Sequence, residues 1–200
     1  RGMEISYGPD GGVFVLDWSD TGECHEYSGV HRTSGRIYKI AYGEPKPSQI
    51  TDVAKLNSSE LVKLHTHSNE WFSRQARLEL AARDDLGKAA KQLRKLFDKE
   101  RDIVMKLRAF WTLYTIGAAD EAFLRTQLRH PDEHVRTWAI RFLSDTWPLD
   151  TVMSQRPGDQ SLAISAATMD DLVHAAKTDT SGLVRLALAS TLQRLPVSKR

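Results

Sequence analysis

One short stretch of this sequence, residues 17–32, is crowded with side chains that bind or react. It holds Asp17, Asp20, Glu23, Cys24, His25, Glu26, His31 and Arg32. The acids could hold a hard cation through their oxygens. The histidines and the thiol suit a softer metal. The spacing matches no standard metal loop, and the adjacent Cys24 and His25 are awkward as joint ligands. These residues are therefore a candidate ligand or docking loop. Its first reading is a structural or docking role, and its second is a substrate or metal role. Elsewhere no Ser/His/Asp ordering, phosphate-cradling glycine loop or paired catalytic carboxylate stands out. No residue is assigned a catalytic, metal-ligating or haem-ligating role. Gly11-Gly12 belongs to a hairpin turn rather than a nucleotide loop.

Strands must position this loop. A turn signal, Pro9-Asp10-Gly11-Gly12, precedes a β-branched and aromatic run at 13–17. Such a run reads as a strand. Further strands are expected over 3–7 and 36–42. Three strands with a partly exposed face rarely stand alone. Gly43-Glu44-Pro45-Lys46-Pro47-Ser48 then reads as a linker, since two prolines stop any regular element.

Beyond about residue 56 the signals are helical. Asn57-Ser58-Ser59-Glu60 has the form of a capping box opening a helix to about 67. Helices are expected over 70–83, 87–99 and 102–116, the last stopped by Gly117. Asp120 caps a fifth, to about 129. Pro131-Asp132-Glu133 starts a sixth, with proline in the first turn and acids at the positive end of the dipole. Residues 147–161 read as loop. Thr168-Met169-Asp170-Asp171 caps a seventh helix, and 182–195 is the eighth.

Aligning alternate helices exposes a repeat: Phe72, Ala76, Leu80; Met105, Ala109, Leu113; Val135, Ala139, Leu143; Val184, Leu188, Leu192. The residue after the first apolar one is Ser73, Lys106, Arg136 and Arg185. The repeats start roughly 30 to 50 residues apart, the range of paired-helix solenoids. A lone pair cannot bury its apolar stripe, whereas stacked pairs bury a continuous core. The alternative is a plain helical bundle with coincidental spacing.

The chain has 200 residues, 40% hydrophobic and 27% charged, with a net charge of +2. That is ordinary for a globular protein, and no global field points to nucleic acid or membrane. No apolar run approaches the ~20 residues of a membrane span. Arg1-Gly2-Met3 carries no apolar signal region. The single Cys24 excludes an internal disulfide.

Two sets of residues resemble a known family. PDGGVFVLDWSDTGECHEYSGVHRTSGRIYKI resembles the last propeller blade of the large membrane-bound dehydrogenases of planctomycete and verrucomicrobial type. HPDEHVRTWAIRFL and SGLVRLALASTLQRLP resemble the HEAT-like, armadillo-like repeats that follow that propeller. In the family the order is export signal, a propeller like those of soluble sugar dehydrogenases, helical repeats, then a haem-binding cytochrome c-type domain. The resemblance therefore implies a mainly α fold: a HEAT-like helical-pair solenoid preceded by a short antiparallel β segment, the last blade of a β-propeller. It divides the chain into propeller strands at 1–43, a linker at 44–55 and HEAT-like repeats at 56–200. It also implies a periplasmic or exported parent, with haem c as the parent's cofactor. Most of the propeller is absent here, and so is any Cys-x-x-Cys-His haem site. No cofactor is expected in this segment, and any dehydrogenase activity belongs to a longer parent. The expected role is a non-catalytic scaffold, with the parent's other domains or protein partners as its contacts.

Remaining features have bland readings. His65 and His67, two apart near a helix end, cannot share one helix face, so they read as cap or surface residues. His130 and His134 read as a solvated first-turn pair. Trp71, Trp111, Trp138 and Trp147 read as fillers between helices. A nucleic-acid reader would use such aromatics, with neighbours such as Arg74, Arg77, Lys91, Arg94, Lys95 and Arg108, for stacking. The interspersed Asp84, Asp85 and Asp98 weaken that. A stand-alone HEAT-repeat interaction module and a HEAT-like nucleic-acid binder remain as alternatives.

Overall fold

The computed structural model describes residues 2–18, 29, 31, 33–44, 46–149, 164–195 and 200. The protein is mainly helical with a small three-stranded antiparallel sheet. It forms two compact units, Arg1–Ala89 and Ala90–Arg200.

In the first unit, β1 (Gly2–Tyr7), β2 (Val13–Asp17) and β3 (Arg36–Ile40) pair in chain order. The β1–β2 turn closes where Gly8 N–H donates to Gly12 O at 3.0 Å and Gly12 N–H donates to the Asp10 carboxylate at 3.0 Å. The register sets Ile5 opposite Val15 and Val15 opposite Tyr38. It likewise places Tyr7, Val13 and Ile40 side by side. Side chains alternate across a sheet, so these rows share one face, and Leu16 with Ile37 lies on the other. β3 ends at Ile40, two residues short of the expected Tyr42.

A 3-10 turn at Val53–Lys55 leads to α1 (Ser58–Lys63), a second 3-10 turn (Leu64–Thr66) and α2 (Glu70–Ala81). The capping box forms as the sequence requires: Glu60 N–H donates to Asn57 Oδ1 at 3.0 Å, and Asn57 N–H donates to Glu60 Oε2 at 2.8 Å. Leu61, Phe72, Ala76 and Leu80 fill this unit's core. Asn69, the N-cap of α2, also donates from Nδ2 to Gly8 O at 3.0 Å, and Arg74 lies 5.7 Å from the Tyr7 ring centre. These contacts hold the sheet's turn against α2.

α3 (Gly87–Lys99) runs from the end of the first unit into the second. α4 (Ile103–Thr115), α5 (Glu121–Gln127), α6 (Glu133–Ser144), α7 (Ala166–Thr178) and α8 (Gly182–Leu192) follow. Each of α4 to α8 starts at an Asp or Ser whose side chain accepts an N–H from the first turn, satisfying a donor the helix cannot. Gly117 ends α4 with φ +71°, a left-handed conformation that glycine adopts without a Cβ penalty. α6 packs against α4 on one side and α8 on the other, while α5 packs on α6 and α7. An aromatic cluster joins them: Phe110 lies 5.1 Å from Phe97, 5.9 Å from Phe123 and 5.1 Å from Phe142, centre to centre.

Some boundaries differ from expectation. Pro131 stands outside α6, because Asp132 is the cap. α7 begins before the expected Thr168. The Ser165 hydroxyl accepts from Thr168 N–H at 3.1 Å, so Thr168 lies inside the first turn. The apolar template is buried in α2, and in α6 with Leu143 included, but it slips in α8. There Val184, Ala187 and Thr191 are buried, while Leu192 is 45% exposed.

Candidate functional site

The candidate loop springs from a cross-strand pair, because Asp17 closes β2 directly opposite Arg36 at the start of β3. Its returning arm is tightly folded. Ser34 Oγ donates to His31 O at 2.7 Å, and Arg36 Nη1 donates to Ser34 O at 2.8 Å. Gly35 passes so near the outgoing arm that a Cβ there would lie 2.5 Å from Trp18 O. Only glycine permits that approach. Of the candidate ligands, Asp17 is half-buried and His31 exposed. Asp20, Glu23, Cys24, His25, Glu26 and Arg32 lie outside the described residues. Among the described residues no group of three or more His, Cys, Asp and Glu could hold a metal ion.

The sheet that carries this loop is unusually bare. Ile5 is 75% exposed, Ile37 70% and Ile40 59%. These residues occupy both faces, so apolar side chains meet water on each side. Trp18, at the root of the loop, is also exposed.

A second constellation, which sequence reasoning did not assemble, lies in the second unit between the α5–α6 and α7–α8 hairpins. Asp171 of α7 accepts from Arg125 Nε at 2.7 Å and from Arg129 Nη2 at 2.6 Å. Asp179, in the loop before α8, accepts from Arg136 Nε at 2.7 Å and Nη2 at 3.1 Å. Arg136 Nη1 also donates to His130 O and Pro131 O, each at 2.9 Å. Glu121 accepts from the hydroxyls of Ser165 and Thr168, and Glu133 accepts from Ser181. Every one of these contacts runs from one hairpin to the next, apart from Arg136's two to its own loop. The sequence signal was the basic residue after the first apolar position of the repeat, which Arg136 occupies.

The electrostatics follow from the geometry. The Arg136 fork and the Ser181 N–H hold the Asp179 carboxyl below the usual carboxylate range. Burial alone would raise Asp171, but the hydrogen bonds from Arg125 and Arg129 outweigh it and leave it lowered. A cleft of about 370 Å³ opens beside these pairs, lined by His130 and His174 as well as the ions. Burial, with Lys106 adding to it, pushes His130 below its ordinary value. Its Nδ1 accepts from Asp132 N–H at 3.0 Å. The carboxylates of the cleft are already held by arginines, so what they do is join helices.

Two histidines depart from expectation. His65 is fully buried rather than a cap or surface residue. Its Nδ1 faces Leu61 O at 3.2 Å and Val62 O at 3.1 Å, so that nitrogen carries the proton. His130 is half-buried, while His134 is exposed. The tryptophans line the helices. Trp138 meets Trp111 edge-on at 5.3 Å, and Arg141 lies 5.0 Å from the Trp138 ring. Tyr114 stacks on Phe142 at 4.0 Å and donates its hydroxyl to Asp145 at 2.9 Å. Burial and that carboxylate push the phenol up to about 12. No helix among the described residues is long and apolar enough to cross a membrane. No family model, no curated protein and no solved structure matches this chain.

Proposed function

We propose that this chain is a non-catalytic scaffold. In this reading α1 to α8 form a HEAT-like solenoid of stacked helix pairs, and β1 to β3 are the closing strands of a propeller blade. The scaffold spaces the propeller of an exported dehydrogenase from its haem-binding electron-transfer domain. Any haem c belongs to that parent, and residues 17–32 cover or dock a neighbouring domain. The observation that supports this best is the directed seam between the α5–α6 and α7–α8 hairpins. A contact surface between neighbouring helix pairs is what stacked repeats need. The bare sheet supports the other half, because a blade buries its faces only against its neighbours.

The test is the reading frame on either side of this segment. Propeller blades upstream and a Cys-x-x-Cys-His downstream are the expected result. Flanking sequence with neither would overturn the dehydrogenase assignment.

One observation favours a second reading, a stand-alone interaction module. A groove of about 510 Å³ lies between α6 and α8, walled by Trp138 and Arg141 on one side and by exposed Leu183 and Leu186 on the other. Apolar walls beside a cation suit a protein partner. A HEAT-like nucleic-acid reader would instead show a gel shift that weakens steeply with salt.

A further inference from the structure

We propose that the outward face of the α7–α8 hairpin is a docking site for a partner's helical hairpin, one that carries carboxylates at two defined places. This rests on reading α5–α6 and α7–α8 as successive repeats.

The protein supplies its own template. Val135 in α6 and Val184 in α8 are both fully buried. Laying one on the other aligns Arg185 with Arg136, Ala189 with Ile140 and Leu192 with Leu143. Leu124 in α5 and Leu172 in α7 are likewise both buried. Aligning them sets Val173 on Arg125, Ala176 on Leu128 and Lys177 on Arg129. In the first hairpin Leu128, Ile140 and Leu143 are buried, with exposures of 6%, 0% and 8%. Their counterparts Ala176, Ala189 and Leu192 are all exposed, and Val173 with them. The difference in surroundings is the following hairpin, which covers the α5–α6 face. Here an open groove of about 360 Å³ takes its place, walled by Val173, Leu188 and Leu192 with Arg185 at its rim.

The charges say what the occupant carries. Arg136 is answered by Asp179, in the loop before α8, and Arg129 by Asp171, in the second turn of α7. Their counterparts Arg185 and Lys177 are exposed and make no ion pair among the described residues. The occupant thus presents a carboxylate before its second helix, facing Arg185, and another early in its first helix, facing Lys177. A second copy of this chain in a two-fold arrangement would set this patch, with Arg185 and Lys177, against the same basic patch. Like charges so placed oppose that pairing.

The probe is a cross-linked hairpin peptide of residues 164–195, the element that α5–α6 already accepts. Circular dichroism confirms that it is helical, and it is then labelled and titrated with the full chain by fluorescence anisotropy. We expect saturable one-to-one binding. Arg185→Glu in the chain should weaken it at least about tenfold, and Asp179→Lys in the peptide should restore it, as expected for a directly facing charge pair. A helical peptide that does not bind at about 1 mM overturns the proposal. So does binding indifferent to both Arg185→Glu and Leu192→Asp. Sedimentation equilibrium of the chain alone should give a monomer. A dimer abolished by Leu192→Asp would assign the face to a second copy instead. The peptide's behaviour and the flanking reading frame are independent, so the two readings can fail separately.

Discussion

Arg136 uses four of its five N–H donors at once, two on Asp179 and two on the backbone carbonyls of His130 and Pro131. The side chains are only 17% and 7% exposed, so removing either partner leaves a charge away from water. We expect Arg136→Ala to cost about 3–5 kcal/mol, the usual loss when one partner of a buried pair is removed. Arg136→Lys should recover only part of it, since an ammonium lacks the planar fork. Urea denaturation at matched m-values reads both. The same pairs set an acid limit. The folded carboxyls of Asp171 and Asp179 titrate below their unfolded value of about 3.9. The stability they contribute is therefore full above about pH 4 and lost as pH falls through the lowered values. The urea midpoint should drop below pH 4, and the drop should shrink in Arg136→Ala. A midpoint equally steep in that variant would show that other carboxyls govern the limit. His65 marks what single residues conceal. Nothing in the spacing of His65 and His67 reveals that one ring turns inward to the Leu61 and Val62 carbonyls.

Helix positions were legible because their ends are chemical. Asn57 and Asp120 cap the helices expected of them, while Asp102 and Asp132, expected inside the first turn, turn out to be caps too. α7 was misplaced because Thr168 has a cap's chemistry but spends its hydroxyl on Glu121. The apolar template held in α6, whose outer side is covered by α8. It slipped in α8, where Leu192 is exposed and the smaller Ala187 and Thr191 turn inward. Apolarity alone cannot distinguish a face that packs within the chain from one left for something else. Leu143→Ala, in the helix where the template held, should cost about 2–5 kcal/mol. A loss under about 0.5 kcal/mol, the size of a surface substitution, would mean that α6 packs by another face. For residues 17–32 neither a ligand geometry nor a fold was legible, since their spacing matches no standard metal loop, and most of them lie outside the described residues. We expect no tight binding of a transition metal by the purified chain. Stoichiometric metal removed by His25→Ala would reverse that.

At the scale of the molecule, the change from strands to helices was legible from composition and turn residues. The balance of burial between them was not. The helices bury Phe72, Phe97, Phe110, Leu61, Leu80 and Leu113 almost completely, while every residue of β3 is exposed. A three-stranded sheet whose central strand is only half-buried and whose third strand is wholly exposed has little to offset the entropy of ordering it. Among the described residues it is tied to the helices at its turn, where Asn69 donates to Gly8 O and Pro9 O and Arg74 lies beside Tyr7. On the proposed blade reading, β1 to β3 are surfaces to be covered from outside this chain while the helices carry their own core. Native-state hydrogen exchange on the monomer tests it directly by comparing the amides of Val13 to Leu16 with those of Val135 to Leu143. We expect the strand amides to exchange at least about a hundredfold faster, reporting local opening well below the global limit. Equal protection of the two sets in a monomer would make the sheet self-sufficient and contradict the claim.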